Sequence, residues 1–219
     1  MKKMVFGAAL LLSFPAAAQA QDDADGAWSG IYFGAEAGVD NYELSAKGDL
    51  GLVDPALAGL EASFDGLSGD GVAGGIYAGY NMGFGGGFVA VEGFAGLSDA
   101  SMGVSASDGV DTLSVTAKAR ESYGVAGRIG AKLSRSTVIY ARGGWVNTRF
   151  KVSASDGVDT FSESETEDGF QYGGGLESMI GPKMSIRAEY VISDYGSAGL
   201  GQGISLDNGS FRAGISFRY

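Results

Sequence analysis

Charged side chains recur within short apolar segments of the chain, at spacings that place them on one face of an extended strand. The chemistry open to such a set is ion pairing, ion conduction or proton transfer. Because a buried charge is stable only when it is paired, opposite charges on one inner face predict a neutralised network. The set consists of Glu36, Glu92, Arg128, Arg142, Glu177, Arg187, Glu189, Arg212 and Arg218.

Enzymatic chemistry has little support in the composition. Histidine and cysteine are both absent from the 219 residues. Their absence excludes a Ser-His-Asp nucleophile and any thiol or disulfide chemistry. Acid–base catalysis by paired carboxylates would need a cleft with access for substrate, and no pattern indicates one. We therefore expect no catalytic residue, no cofactor and no metal site.

An acidic repeat is the other candidate for chemistry. Residues 104–112 recur without change at 152–160, and the aspartates of each copy suggest a divalent-cation site as one interpretation. Neither copy has the ligand spacing of an EF-hand or of a calcium-binding nonapeptide repeat. Asp-Gly is the strongest short hairpin signal, and the flanking Val and Thr favour strands. The repeat thus predicts two neighbouring hairpins with tips at Asp108, Gly109, Asp156 and Gly157.

The elements that would hold these residues are strands, and the last one is the clearest. Residues 210–219 alternate strictly, with Phe211, Ile215, Phe217 and Tyr219 on one face and the arginines on the other. A length of about 9–11 residues is enough for a tilted strand to cross a bilayer. We interpret this segment as the closing strand of a transmembrane barrel, with lipid against its apolar face.

Further segments alternate in the same way, and their connections are alternately long and short. Bacterial outer-membrane barrels have this asymmetry, with short turns on the periplasmic side. The sequence therefore predicts an all-β fold, an eight-stranded antiparallel up-and-down transmembrane β-barrel with three short periplasmic turns and four long extracellular loops. The predicted strands are residues 28–39, 72–82, 88–97, 122–131, 137–146, 170–180, 184–192 and 210–219.

A soluble β-sandwich or lipocalin-like barrel is the alternative, because periodicity alone does not distinguish inside from outside. The charged residues share their face with glycine, of which the chain has 39, and a narrow lumen requires small residues. The opposite face carries aromatic residues near the strand ends, as membrane interfaces favour. We favour the membrane barrel with a lumen filled by ion pairs, and an ion-conducting gate is the alternative.

The N-terminus predicts export. Lys2 and Lys3 precede an apolar run that ends in small residues at Ala20, the pattern of a secretory signal peptide with its cleavage site. The domains are then a signal peptide over 1–20, an N-terminal tail over 21–27 and an outer-membrane barrel over 28–219. Within the first long loop, an apolar stripe also predicts a short helix over residues 55–64.

Short motifs follow one another along the strands in a fixed order. They are residues 28–34 (WSGIYFG), 79–81 (GYN), 91–93 (VEG), 127–130 (GRIG), 139–144 (IYARGG), 187–190 (RAEY) and 216–219 (SFRY). In this order the motifs resemble the opacity-protein-like family of small outer-membrane barrels, related in fold to the membrane domain of outer-membrane protein A. The resemblance implies a place in the cell outer membrane and insertion by the outer-membrane assembly machinery. That machinery reads the closing strand, here through Phe211, Ile215, Phe217 and Tyr219.

The resemblance implies no single activity, since members of the family differ mainly in their loops. We favour a structural and surface-interaction role, adhesin- or antigen-like, without turnover. A narrow porin-like channel for ions or small hydrophobic molecules is the alternative. A lipid-modifying enzyme is disfavoured because such barrels use histidine. The expected partners are outer-membrane lipid and lipopolysaccharide, the assembly machinery, and another cell surface or a neighbouring barrel. Acidic loops in a chain of net charge −11 argue against nucleic acid.

Overall fold

The computed structural model describes residues 28–49, 61–107, 112–155, 160–196 and 204–219. The predicted signal peptide and N-terminal tail lie outside the described residues and stay predictions. The predicted hairpin tips also lie outside them: Asp108, Gly109, Asp156 and Gly157.

Nine antiparallel β-strands run through the described part of the chain. They are β1 Gly30–Asp49, β2 Glu61–Phe84, β3 Gly87–Ser98, β4 Ser101–Ser107, β5 Thr112–Lys132, β6 Thr137–Ser155, β7 Thr160–Met179, β8 Met184–Asp194 and β9 Ile204–Arg218. β3 and β4 are two parts of one strand interrupted at Asp99 and Ala100, because both pair with β5. Short turns join β2 to β3, β5 to β6 and β7 to β8, as predicted.

The sheet closes on itself. β3 pairs with both β2 and β5, and the last strand, β9, pairs with β1 from Tyr32 opposite Arg218 to Ala46 opposite Ile204. The result is a ring of eight hydrogen-bonded strands, which confirms the predicted fold class. Within the ring, closure pairs each strand on both sides and leaves no exposed edge, which lipid does not tolerate.

Side chains alternate between the lumen and the exterior along each strand. On β1, Ile31 and Phe33 are exposed whereas Tyr32 between them is buried; on β9, Phe217 is exposed whereas Arg218 is buried. The exterior of the ring is thus apolar and its interior polar, the arrangement that a membrane barrel requires. The predicted assignment of strand faces matches this pattern.

The strands are longer than the predicted spans and extend into the long loops over residues 40–71, 98–121, 147–169 and 193–209. In the second and third of these loops, the repeat predicts the hairpins. Alternation continues beyond the lipid, but its sense is reversed. On the extended part of β1, Tyr42 is buried in the interior whereas Glu43 is exposed on the outside. The reason is the change of solvent, since the exterior of the barrel there faces water. The strand ends were predicted from an alternation with apolar residues outside. This alternation ends at the membrane surface, whereas the strands continue beyond it.

The two copies of the repeat form hairpins of the same register. Ser107 pairs with Thr112 in the first copy, and Ser155 pairs with Thr160 in the second. β5 and β6 remain paired up to Ser114 opposite Ser155, so the two hairpins lie side by side. The predicted pair of neighbouring hairpins is confirmed up to these residues.

The predicted helix over residues 55–64 is wrong at its C-terminal end. Residues 61–64 belong to β2 and pair with residues 46–49 of β1, so cross-strand pairing overrides the local helical pattern. Residues 55–60 lie outside the described part of the chain. Among the described residues, no helix has the length and apolar character needed to cross a bilayer.

Glycines on the inner face make room for aromatic side chains. A Cβ at Gly34 would clash with the ring of Tyr77, and a Cβ at Gly130 would clash with the ring of Phe88. In each case an aromatic side chain from one strand lies over a glycine of another. This pairing explains how large rings fit into the narrow lumen of an eight-stranded barrel.

Barrel closure gives a first testable prediction. Ala213 lies in the middle of β9, opposite Ala37 of β1 and Ala188 of β8. The closed wild-type barrel should migrate differently on a detergent gel before and after heating. We predict that Ala213→Pro abolishes this difference, because proline in a central strand removes a ladder donor. Ala213→Val, which keeps an apolar exterior, should retain the difference. An unchanged heat shift in the proline variant would contradict closure through β9.

Candidate functional site: the barrel interior and the extracellular rim

Glu92 of β3 lies at the centre of the lumen and contacts arginines from three other strands. Its carboxylate lies 2.7 Å from Arg187 of β8, 3.4 Å from Arg128 of β5 and 3.8 Å from Arg142 of β6. All four side chains are buried. Two of these three strands, β6 and β8, are not neighbours of β3 in the sheet, so the contacts cross the lumen.

The other predicted lumen residues extend these contacts into one connected set, which we call the lumen network. The further ion pairs are Arg128–Glu177 at 2.7 Å, Arg142–Glu189 at 2.9 Å, Arg187–Glu36 at 2.6 Å, Arg187–Glu189 at 3.7 Å, Arg212–Glu36 at 3.1 Å and Arg218–Glu177. The structure thus brings together every charged residue that the sequence assigns to the lumen.

Hydroxyl groups and aromatic rings complete the surroundings of these charges. The Tyr32 hydroxyl donates a hydrogen bond of 2.9 Å to Glu92, and the Ser185 hydroxyl donates one of 2.6 Å to Glu177. The guanidinium carbon of Arg187 lies 3.3 Å from the centre of the Tyr77 ring, a cation–π contact. Such additional partners are what a buried ion pair needs to offset its loss of hydration.

Asp40 belongs to this interior and was missed by the sequence analysis. The sequence pattern places it in the first polar loop, whereas the structure leaves only 4% of it exposed. The Ser210 hydroxyl donates to Asp40 at 2.6 Å, and Arg212 donates to Ser210 at 3.4 Å. Asp40 and the four network glutamates match the five network arginines, so the charges of the lumen network together with Asp40 sum to zero. The available signal was the alternation along the strand. Asp40 follows Glu36 by four residues and so lies on the same face of β1.

An aromatic cluster fills the periplasmic end of the lumen, and we call it the lower plug. It consists of Trp28, Phe88, Val138 and Tyr140. Trp28 precedes β1, is fully buried, and stacks on Phe88 with ring centroids 6.2 Å apart. The guanidinium carbon of Arg218 lies 4.4 Å from the centre of the Trp28 ring, which joins the lower plug to the lumen network.

A second cluster, the upper plug, fills the extracellular end. It consists of Tyr42, Phe150, Tyr195 and Leu206, all buried. The Phe150 ring packs edge-on against Tyr42 and Tyr195, with centroids 5.7 and 5.5 Å apart. These residues come from β1, β6, β9 and the end of β8, at the level where the strands leave the lipid. The interior therefore has apolar clusters at both ends of the charged residues, and Tyr32, Tyr77 and Phe94 continue the upper cluster in among those charges.

This arrangement leaves little space for chemistry in the lumen. A cavity beside Glu36, Asp40, Phe94 and Arg212 measures about 20 Å³, room for a single water molecule. Among the described residues, no group of three or more carboxylates is placed to hold a metal ion. The charged side chains contact each other rather than an open cleft, which is the geometry of a structural network.

The residues of the predicted assembly signal form a stripe on the lipid-facing side of β9. Phe211, Phe217 and Tyr219 are exposed, and Ile215 is partly exposed. The Phe217 ring stacks on Phe33 of β1 with centroids 5.8 Å apart. The stripe therefore lies along the seam at which the barrel closes.

Exterior charges divide the extracellular rim into two sectors. The basic sector comprises Lys118 of β5 and Arg149 and Lys151 of β6, all exposed. The acidic sector follows the other strands and comprises Glu43, Asp70, Asp99, Asp168, Asp194 and Asp207. Asp207 lies opposite both Glu43 and Asp194 in the sheet. Partial burial raises the pKa of Asp207, and its two acidic neighbours add to the increase.

The chain is similar to known proteins over nearly its whole length. Residues 6–219 match the family described as Outer membrane protein beta-barrel domain. No curated protein matches the sequence significantly. Among solved structures, the chain is similar to Ail, the attachment invasion locus protein of Yersinia pestis. Identity is 17% and the TM-score 0.42, over 86% of this chain and 99% of that chain.

Two further solved structures extend this comparison. Neisserial surface protein A is 17% identical with a TM-score of 0.48, over 87% of this chain and 98% of that chain. The outer membrane protease OmpT from Escherichia coli is 6% identical with a TM-score of 0.50, over 87% of this chain and 97% of that chain. At such identity the likeness to OmpT shows a shared fold and nothing about activity.

The lumen network gives a second prediction. Glu92→Gln should lower the free energy of unfolding in lipid vesicles by about 3–5 kcal/mol, because it leaves buried arginines without their shared partner. Urea unfolding followed by tryptophan fluorescence would measure this change. Glu121→Gln, on the exposed side of β5, is the matched control and should stay within about 0.5 kcal/mol of wild type. Equal stability of the two variants would show that the network does not hold the barrel together.

The closed ring, the apolar exterior and the nearly full-length match point to one conclusion. The sequence resemblance to small opacity-like barrels is consistent with it, and the fold of the described residues meets the requirements of a membrane barrel. The chain belongs to the outer membrane protein β-barrel domain family.

Proposed function

We propose that this outer-membrane barrel acts at the cell surface by contact, in an adhesin- or antigen-like role without catalytic turnover. The observation that carries the proposal is the sheet formed by β4, β5, β6 and β7 beyond the lipid, which we call the projecting sheet. Its strands continue in register to the hairpin pairs Ser107–Thr112 and Ser155–Thr160. A paired extension of this kind places side chains outside the membrane surface.

The projecting sheet has an unpaired edge. Residues 152–155 of β6 pair with β5 on one side and with β7 on the other. Residues 104–107 of β4, identical in sequence, pair with β5 alone within the described part of the chain. An unpaired strand edge is a template for adding a strand from another chain. The repeat thus supplies one strand enclosed on both sides and a second, equal in sequence, open on one side.

The projecting sheet also exposes apolar side chains above the membrane. Val115 of β5 and Phe161 of β7 lie on either side of Ala154 in β6, and Val152 follows on the same face. Phe161 is 70% exposed, and Val115 and Val152 are both about 40% exposed. A contiguous row of exposed apolar side chains in water is typical of contact surfaces. It supports contact with another cell surface or with a neighbouring barrel.

Transport is the alternative function, and the interior argues against it. Within the described part of the chain, the two plugs and the lumen network occupy the interior, and the cavity beside Arg212 has room for a single water molecule. For the remaining partners, we propose the lipids of the outer membrane, including lipopolysaccharide, and the outer-membrane assembly machinery. The latter would act through the stripe on β9 described above.

Conductance in planar bilayers tests the closed interior. We predict no steady openings of the reconstituted wild-type barrel at neutral pH, because buried apolar side chains of the two plugs lie at both ends of the described lumen. Removing both plugs, with Trp28→Ala and Tyr42→Ala together, should raise the frequency of openings. The exposed aromatic pair Phe33→Ala and Tyr123→Ala is the matched control and should stay silent. Steady wild-type openings would favour the channel over the contact role.

Replacement of the repeat tests the contact role. Residues 104–112 and 152–160 would each be exchanged for a Gly/Ser segment of equal length, on cells that display the protein. We predict that autoaggregation or adhesion to a surface falls by at least about tenfold, since such segments form flexible coil rather than strand.

The control for this experiment exchanges residues 50–58, in the connection between β1 and β2, for the same Gly/Ser segment. It should leave cell contact unchanged, and both variants should retain the heat-dependent gel shift of a closed barrel. Contact that persists after replacement of both repeats would refute the proposed role.

A further inference from the structure

The basic sector of the rim concentrates positive charge at one place on a chain of net charge −11. Lys118 of β5 lies directly opposite Lys151 of β6, and Arg149 follows on the same face. Like charges opposed across an antiparallel pair destabilise a sheet. An anion bound between them would remove that repulsion.

These three cations face away from the barrel axis. Phe150, between Arg149 and Lys151, is buried in the upper plug, so both of its neighbours point outward. On β5, a β-bulge between Ala119 and Ser122 adds one residue relative to β6 and shifts the alternation. Because of this shift, Lys118 is exposed on the outer face, in line with Lys151.

Hydroxyl groups surround the basic sector in the sheet. Ser101 of β4 lies opposite Lys118, and on β7 Ser164 lies opposite Lys151 and Thr166 opposite Arg149. A set of cations flanked by hydroxyl donors suits the oxygen atoms of a phosphate group.

Carboxylates do not neutralise the basic sector. In the described part of the chain, none of its three cations forms an ion pair. Glu163 and Glu165 of β7 lie opposite Val152 and Phe150 and so belong to the inner face. Asp168, on the outer face of β7, accepts a hydrogen bond of 2.8 Å from Asn147. Glu121 in the bulge of β5 is exposed beside Arg120, which offsets its charge. The outer face around Lys151 therefore remains basic.

The height of the sector above the membrane fits the headgroups of the outer leaflet. Trp145 and Tyr123 are exposed on the same two strands and pack edge-on with centroids 5.8 Å apart, as expected at the membrane interface. With a rise of about 3.3 Å per residue and a tilt of about 40°, Arg149 lies about 10 Å and Lys151 about 15 Å above Trp145. Phosphate groups attached to lipid headgroups lie within this range.

We infer that Lys118, Arg149 and Lys151 form a binding site for the phosphate groups of a phosphorylated glycolipid in the outer leaflet, of the lipopolysaccharide class. The inference rests on the lipid partner proposed above and names the residues that bind it. It does not depend on the contact role of the repeats. It holds one identified side of the barrel against phosphate-bearing lipid, whereas the acidic sector on the other strands repels the same groups.

The test uses the full refolded barrel in detergent and counts bound lipid by native mass spectrometry. The probes are bisphosphorylated lipid A and the same lipid after dephosphorylation. We expect wild type to prefer the phosphorylated form by at least about tenfold. The triple variant Lys118→Gln, Arg149→Gln, Lys151→Gln should lose this preference. The control Lys132→Gln, Arg135→Gln, Lys183→Gln removes equal charge at the periplasmic end and should keep it.

Each outcome decides the proposal. Equal binding of the two lipids by wild type, or an unchanged preference in the triple variant, overturns it. Heparin binding that is lost in the triple variant while lipid binding persists also overturns it, in favour of an anionic polysaccharide. The heat-dependent gel shift verifies that each variant is folded. If the triple variant does not fold, Arg149→Gln alone replaces it and is expected to lose part of the preference. The variant with both repeats replaced should keep the lipid preference, which separates this site from the contact role.

Discussion

Lipid offers no hydrogen bonds to a polypeptide backbone, and the rest of this structure depends on that constraint. Because every strand must be paired on both sides, β9 closes on β1 and the barrel becomes narrow. A narrow lumen cannot hold large side chains on every strand, so glycine lies beneath rings such as Tyr77. Charged residues inside cannot remain hydrated, so they pair across the lumen, as Glu92 and Arg187 do at 2.7 Å. The apolar plugs then separate these pairs from water at both ends.

The exterior solvent changes along each strand, and this change sets how much of the fold the sequence reveals. Within lipid the alternation is apolar outside, and there the sequence predicts every strand, its facing and the fold class. Above lipid the alternation reverses, as Tyr42 and Glu43 illustrate, and the same strands resemble polar loops. The repeat at 104–112 was recognised as hairpin only because Asp-Gly is a local signal. In the first of those segments, residues 61–64 of β2 pair with β1, and this pairing outweighs the local helical preference. The prediction of a helix over 55–64 considered only the local preference.

The sequence predicts which charged residues lie in the lumen, but it does not predict which of them form ion pairs. The alternation of side chains along each strand places all the network glutamates and arginines in the lumen. It carries no information about which glutamate contacts which arginine. Glu92 and Arg187 are brought together by closure of the ring, a property of the whole chain. Asp40 was missed because it lies where the alternation begins to reverse, and its partner Ser210 is 170 residues away. Trp28 was assigned to the first strand, and its role in the lower plug follows from packing against Phe88.

The order of the charges along the chain has a consequence for biogenesis. The strands up to β7 contribute Glu36, Asp40, Glu92, Arg128, Arg142 and Glu177. The last two strands contribute Arg187, Glu189, Arg212 and Arg218. The first group has four negative and two positive charges and the second three positive and one negative, so an unfinished barrel carries an excess of two negative charges that its final hairpin neutralises. Neither group is neutral by itself, so these charges balance only when β8 and β9 are paired with the other strands. Electrical neutrality of the lumen is thus a property of the complete ring and of no smaller part of the chain.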